Sequence, residues 1–116
     1  MMKYKRGDVV LLLFPHSDLL SAKRRPALIV QSDKIQTDLP QKIVAMITSN
    51  LQRVGPTRIQ VKARTETAKT MGIKIDSVIV CDNLATVLNS QIYEVIGSCP
   101  IMQEIEASLQ KILDLP

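Results

Sequence analysis

Apolar residues in this chain come in runs of four to six, and each run is cut short by turn chemistry before it can build a buried helix. VVLLLF (9–14), ALIV (27–30), IVAMI (43–47), SVIVC (77–81), LATVL (84–88) and IYEVIG (92–97) have the length of strands. RIQVKA (58–63) alternates strictly, as a strand with one wet face does. Gly55-Pro56 and Gly72 punctuate the pattern. Many short strands with no long helix between them predict a mainly β fold, an antiparallel and strongly bent sheet or small barrel. Only the last segment changes period: Ile101, Ile105, Leu109, Ile112 and Leu113 fall at helical spacing. Pro100 suits a first helical position, with Ser98 or Cys99 as its cap, so a C-terminal amphipathic helix packed on the barrel is expected. The polar stretch 63–72 predicts a helical turn at most.

At 116 residues the chain is long enough for one modest core, and residues 1–116 read as a single domain. The net charge of +4 conceals an asymmetry. Residues 1–64 hold 12 Lys/Arg against 4 Asp/Glu, whereas residues 65–116 hold 3 against 7. One basic half suggests a polyanionic partner, with nucleic acid the leading class and a scattered solvated surface the plain alternative. The apolar run 9–14 ends at Pro15, too short for a signal segment or a membrane span, so a cytoplasmic chain is expected. Cys81 and Cys99 sit in apolar contexts without CxxC spacing and read as buried free thiols.

Elimination narrows the chemistry. The lone histidine, His16, lies in the loop FPHSD and has no ligand-spaced neighbours, so neither a metal site nor a cofactor is expected. No P-loop or GxGxxG is present. Three aromatics, Tyr4, Phe14 and Tyr93, supply a stacking platform for single-stranded bases poorly. What remains are polar groups where apolar runs begin or end: Arg25 before Pro26, then Thr48, Ser49 and Asn50 after IVAMI, and Asp82 and Asn83 after SVIVC. If those strands are neighbours, a guanidinium, hydroxyls and a carboxylate meet on one rim. A guanidinium forks onto phosphate oxygens, and a carboxylate relays protons. Without a metal, RNA is the tractable substrate, because its 2′-hydroxyl already stands beside the phosphorus. Each residue also has an ordinary reading: Arg25 a snorkelling surface cation, Thr48 a turn hydroxyl, Asp82 an Asx-turn residue.

The pieces KRGDVVLLLFP, KRRPALIVQS, IVAMITSN and DSVIVCDNLATV, in that order and followed by a helix, resemble the MazF/PemK family of toxin endoribonucleases over essentially the whole chain. The resemblance implies a small SH3-like antiparallel β-barrel with a C-terminal helix and a homodimer. It implies metal-independent cleavage of single-stranded mRNA at short sequences. It also implies a cognate antitoxin whose flexible segment occupies the RNA groove, and a toxin–antitoxin complex that binds operator DNA. Carried over by position, Arg25 stabilises the phosphate and donates a proton, Thr48 supplies a supporting hydroxyl, and Asp82 is the carboxylate some members use as a base. Lys23 and Arg24 are read as mobile backbone clamps, with Ser49 and Asn50 beside them as RNA contacts.

The chain also departs from the family. Its first loop reads HSDLLSAKR, with Leu19 where some members carry histidine, and Val80 and Ala85 stand where others carry arginine. These departures keep a second reading open: a catalytically silent or gyrase-inhibitor-like toxin of the same fold that acts by binding nucleic acid or protein. A third, an SH3-like adaptor for Pro-rich peptides, lacks the aromatics its groove needs.

Overall fold

The computed structural model describes residues 3–15, 22–52 and 55–116. Of the first loop, residues 16–21, His16 and Leu19 among them, lie outside the described residues, and Ala22, Lys23 and Arg24 belong to a strand. The expected strands are present as β1 (Asp8–Pro15), β2 (Ala22–Ile29), β3 (Gln41–Thr48), β4 (Arg58–Val61), β5 (Ser77–Leu88) and β6 (Ile92–Ser98). They form one sheet in the order β4-β5-β3-β2-β1-β6, with antiparallel pairing throughout. No ladder among the described residues joins the edge strands β4 and β6, so the fold is barrel-like but not closed.

Alternation sorts the apolar side chains into two layers. Val9, Leu28, Ala45, Ile47 and Ile79 face one side, where Ala68, Met71 and Ile105 from two helices cover them. Val10, Leu12, Ala27, Ile29 and Val44 face the other side and pack with Tyr4, Val87 and Ile92. A strand buried on both faces reads as a continuous apolar run rather than an alternating one, which is why VVLLLF and ALIV show no period.

Two of the expected runs are a single strand. SVIVC and LATVL merge in β5, whose register with β3 shifts from Ala45↔Leu84 to Met46↔Val80. Cys81, Asp82 and Asn83 are thus extra residues without partners on β3, a bulge that bends the strand. Cys81 is fixed inward, fully buried, and its N–H donates to the Thr57 carbonyl at 3.0 Å. Asp82 and Asn83 are left facing out.

The helices differ from expectation in their limits. A complete short helix, α1 (Glu66–Met71), forms where only a turn was expected. Thr65 caps it, accepting from the Ala68 N–H at 3.2 Å, and Gly72 ends it at φ 76°. The C-terminal helix, α2 (Met102–Ile112), begins later than predicted, and its N-cap is Ile101. Ser98 and Cys99 stand two or more residues before that cap, still tied to the sheet. Ser98 pairs with Asp8 at the end of β6, and the Cys99 N–H donates to the Gly7 carbonyl at 2.8 Å. Leu113, expected on the apolar face, is exposed beyond the helix end. Arg6 ties these parts together: its backbone N–H donates to Asp33 at 2.8 Å, and its guanidinium donates to the Val30 carbonyl and to Glu106 of α2.

Helix α1 seats its last turn directly on β6. A Cβ added at Gly97 would lie 2.4 Å from the Thr70 carbonyl oxygen and 2.4 Å from the Met71 carbonyl carbon. Gly97→Ala should therefore cost about 1–3 kcal/mol, read as a lowered midpoint in urea unfolding; an unchanged midpoint would show that α1 lifts off freely.

Both thiols are free, and burial pushes both above their ordinary value, with the Ser108 side chain partly offsetting this at Cys81. Raised folded-state values mean the thiols favour folding while protonated in both states. That contribution is lost as the pH rises through the ordinary value of 9.0 towards the folded-state value, because the unfolded chain ionises first. Stability should fall over that interval, and the loss should shrink in a Cys81→Ala, Cys99→Ala variant compared with its own stability at pH 7.

Candidate active site

The site begins where a ladder stops. β2 and β3 pair only over Ala27↔Met46, Leu28↔Ala45 and Ile29↔Val44. Beyond Ala27 comes Pro26, which has no N–H to give a neighbouring strand. The strands part there, and continuing their register would set Arg25 opposite Thr48. Arg25 is not adrift, because β1 still pairs with this half of β2, with Leu12 opposite Arg25. It stands within a strand, therefore, rather than before one as the sequence suggested.

The gap opens into a cleft of about 420 Å³ lined by Arg25, Thr48, Asn50, Arg58, Asp82 and Asn83, with Met46, Ile47 and Val80 as its apolar lining. Four strands contribute. Arg25 comes from β2, Thr48 from the end of β3, Asp82 from the bulge in β5 and Arg58 from the start of β4. The Thr48 hydroxyl oxygen accepts the Asn50 N–H at 3.1 Å, and the Asn50 side-chain oxygen accepts the Gln52 N–H at 3.1 Å. With one lone pair of Thr48 engaged by the turn, its O–H is left as a donor for the cleft. Nη2 of Arg58 lies 3.4 Å from both carboxylate oxygens of Asp82, an ion pair at the cleft wall.

A second hollow, about 530 Å³, continues from the same point. Arg25, Ile47 and Thr48 line both, so the Arg25–Thr48 gap is the saddle between them. Lys23, Arg24 and Lys74 outnumber the one carboxylate, Glu94, in the second hollow, Ser49 and Ser77 add hydroxyls, and Ile73, Ile75 and Ile96 make apolar wall. Ser49, Lys74 and Ile75 then lead into a third hollow beside Arg64. The result is a basic trough with the Arg25–Thr48 gap part-way along it.

Every candidate taken from the sequence lines this trough. Arg25, Thr48, Asn50 and Asp82 meet in the first hollow, and Lys23, Arg24 and Ser49 line the second. The Arg24 guanidinium carbon lies 3.9 Å from the centre of the Tyr93 ring, a cation–π contact that the sequence did not show. Arg58 escaped sequence reading altogether. Alternation marked it only as a wet-face residue of RIQVKA, and its place follows from the pairing Arg58↔Val80, which no local pattern encodes. Of the departures, Val80 is in the cleft lining and Ala85 is half-buried against the second core layer. Among the described residues, no group of three or more His, Cys, Asp and Glu side chains is arranged to hold a metal ion.

With this geometry in hand, comparison with known proteins is informative. Residues 5–113 match the family model described as PemK-like, MazF-like toxin of type II toxin–antitoxin system. The chain is similar to "Endoribonuclease MazF6" of Mycobacterium tuberculosis, 32% identical over 107 residues, covering 89% of this chain and 90% of the relative. Its fold resembles the solved structure of the Mycobacterium tuberculosis toxin MazF-mt6, at a TM-score of 0.71 and 24% identity, covering 94% and 98% of the two chains. It also resembles an endoribonuclease from a mycobacterial species solved in complex with its cognate antitoxin, at a TM-score of 0.73 and 19% identity, covering 97% of each chain.

The turn after β3 gives Thr48 a structural duty separable from any chemistry. Thr48→Val removes the acceptor for the Asn50 N–H and should lower stability by about 0.5–1.5 kcal/mol. Thr48→Ser, which keeps the oxygen, should restore most of it; urea unfolding of the three proteins measures both.

Proposed function

The chain belongs to the PemK-like, MazF-like toxins of type II toxin–antitoxin systems and is a MazF-like endoribonuclease, and from that premise we propose that its cleft cuts single-stranded mRNA at short sequences without a metal ion. The observation that carries this reading is the parting of β2 and β3 at Pro26, which leaves Arg25 and Thr48 lining one cleft that also holds a carboxylate.

The nucleophile belongs to the substrate. The 2′-hydroxyl attacks the adjacent phosphorus, the bond to the 5′-oxygen of the next nucleotide breaks, and a 2′,3′-cyclic phosphate remains. Asp82 takes the proton of the attacking hydroxyl. Arg25 donates two N–H groups to the phosphate oxygens as their charge grows. Arg25 also supports the leaving 5′-oxygen through hydrogen bonding. The O–H of Thr48 joins it there, and water in the open cleft delivers the proton.

Lys23, Arg24, Ser49 and Asn50 follow the RNA backbone on either side of this centre. The antitoxin complex solved for a mycobacterial relative supports a cognate antitoxin for this chain, and its flexible segment would occupy the same basic trough. A homodimer, operator-DNA binding by the toxin–antitoxin complex and residence in the cytoplasm belong to the same reading. Two free thiols suit a reducing compartment, and no helix among the described residues is long and apolar enough to cross a membrane.

Purified protein should cut a long RNA in excess EDTA and leave 2′,3′-cyclic phosphate ends. A 2′-deoxy sugar at the scissile nucleotide should block cutting, and equal cutting of that substrate would sink the mechanism. Arg25→Ala should slow cleavage by about 10²-fold or more while the protein still folds and unfolds cooperatively in urea. No cleavage of any RNA by the wild type would leave a toxin that acts by binding alone.

A further inference from the structure

Arg25 and Arg58 enter the first hollow from opposite walls. The strand order places β2 and β4 on either side of β3 and β5, so the two guanidiniums bracket Thr48 and Asp82. We propose that Arg58 is a second phosphate-binding residue of the reaction cleft: it contacts the phosphodiester chain of the RNA directly, and Asp82 holds it ready.

Three observations support this. The first is desolvation. The Arg58 side chain keeps only 16% of its exposure, so its charge needs partners. Among the described residues its hydrogen-bonding partner is Asp82, reached through Nη2 alone, at the long distance of 3.4 Å to each oxygen. A guanidinium has five N–H donors, and this pair leaves most of the fork for an anion. The second is chemistry. The hollow sets the Arg58 guanidinium beside Arg25 and the Thr48 hydroxyl, a set of donors that suits the oxygens of a phosphodiester. The third is position. Arg58 is paired with Val80, and Val80 with Met46, so the surface running from Arg58 towards Thr48 is apolar and offers the guanidinium no competing acceptor from those side chains.

The inference rests on the cleft being the RNA site, and its test separates the two claims. The probe is a single-stranded oligoribonucleotide carrying a cleavage sequence mapped with the wild type, with a 2′-deoxy sugar at the scissile nucleotide so that it binds uncut. Its dissociation constant is measured over a range of KCl concentrations for the wild type, Arg58→Gln, Arg58→Lys and Asp82→Asn. Arg58→Gln should bind about tenfold more weakly, and its slope of log affinity against log salt should be shallower by about 0.7, the signature of one lost phosphate contact. Arg58→Lys should regain the slope, and Asp82→Asn should keep it, since both retain the cation. If Arg58→Gln keeps the wild-type slope, the phosphate contact does not exist, even where cleavage is lost through a misplaced Asp82. Should glutamine unfold the edge strand, Arg58→Lys carries the test by itself: kcat/KM on the all-ribose oligonucleotide should fall about tenfold because an ammonium cannot fork, and an unchanged value overturns the proposal. Failure of the underlying reading looks different, because the wild type would then cut no RNA. Wild-type cleavage that is lost in Arg25→Ala but untouched in every Arg58 variant would remove this inference alone.

Discussion

Where the central strands pair fully they are buried on both faces by two core layers, and the polar groups of the cleft stand where those ladders are interrupted. Two interruptions make the site. β2 leaves β3 at Pro26, and β5 carries three residues beyond its register with β3. The first exposes Arg25 and Thr48, and the second exposes Asp82 and Asn83. Each interruption is anchored by a fully buried residue of the core, Ala27 at one and Cys81 at the other. The candidate site residues are therefore held by packing rather than by a loop, and a rigid scaffold of this kind suits chemistry that depends on orientation.

The basic run Lys23, Arg24 and Arg25 shows how strand geometry divides identical chemistry. Side chains alternate along β2, so Arg24 and Arg25 belong to opposite faces. Arg24 reaches across β1 towards Tyr93 of β6 and spends its planar face on an aromatic ring. Arg25 lines both hollows, whereas Arg24 lines only the second. Lys23 keeps a solvated ammonium further along the trough. A cluster that reads as a uniform patch of charge becomes one centre, one braced wall and one outer contact.

Much of this architecture was legible in the sequence, because strand length, turn chemistry and helical spacing are local properties. The seven apolar and alternating segments and the final helix all appear where their patterns fall. Errors arose where a residue's partner is distant in sequence. SVIVC and LATVL read as two strands because Asp82-Asn83 is a plausible turn, and only pairing with β3 and β4 keeps the chain extended through the bulge. Ser98 and Cys99 are good caps in isolation but are already engaged by Asp8 and Gly7, some ninety residues earlier.

By itself the sequence determined that strands of this length would bury a small bent sheet, that one half would be basic, and that Arg25, Thr48 and Asp82 would stand at the edges of apolar runs. These follow from hydrophobic periodicity and proline geometry, which act over a few residues. Only the tertiary structure decided that four strands form one cleft, that Arg24 stacks on Tyr93, and that Arg58 lines that cleft with Arg25. Those depend on strand order and register, which are set by pairing between residues as far apart as Arg58 and Val80, and no run of neighbouring residues records them.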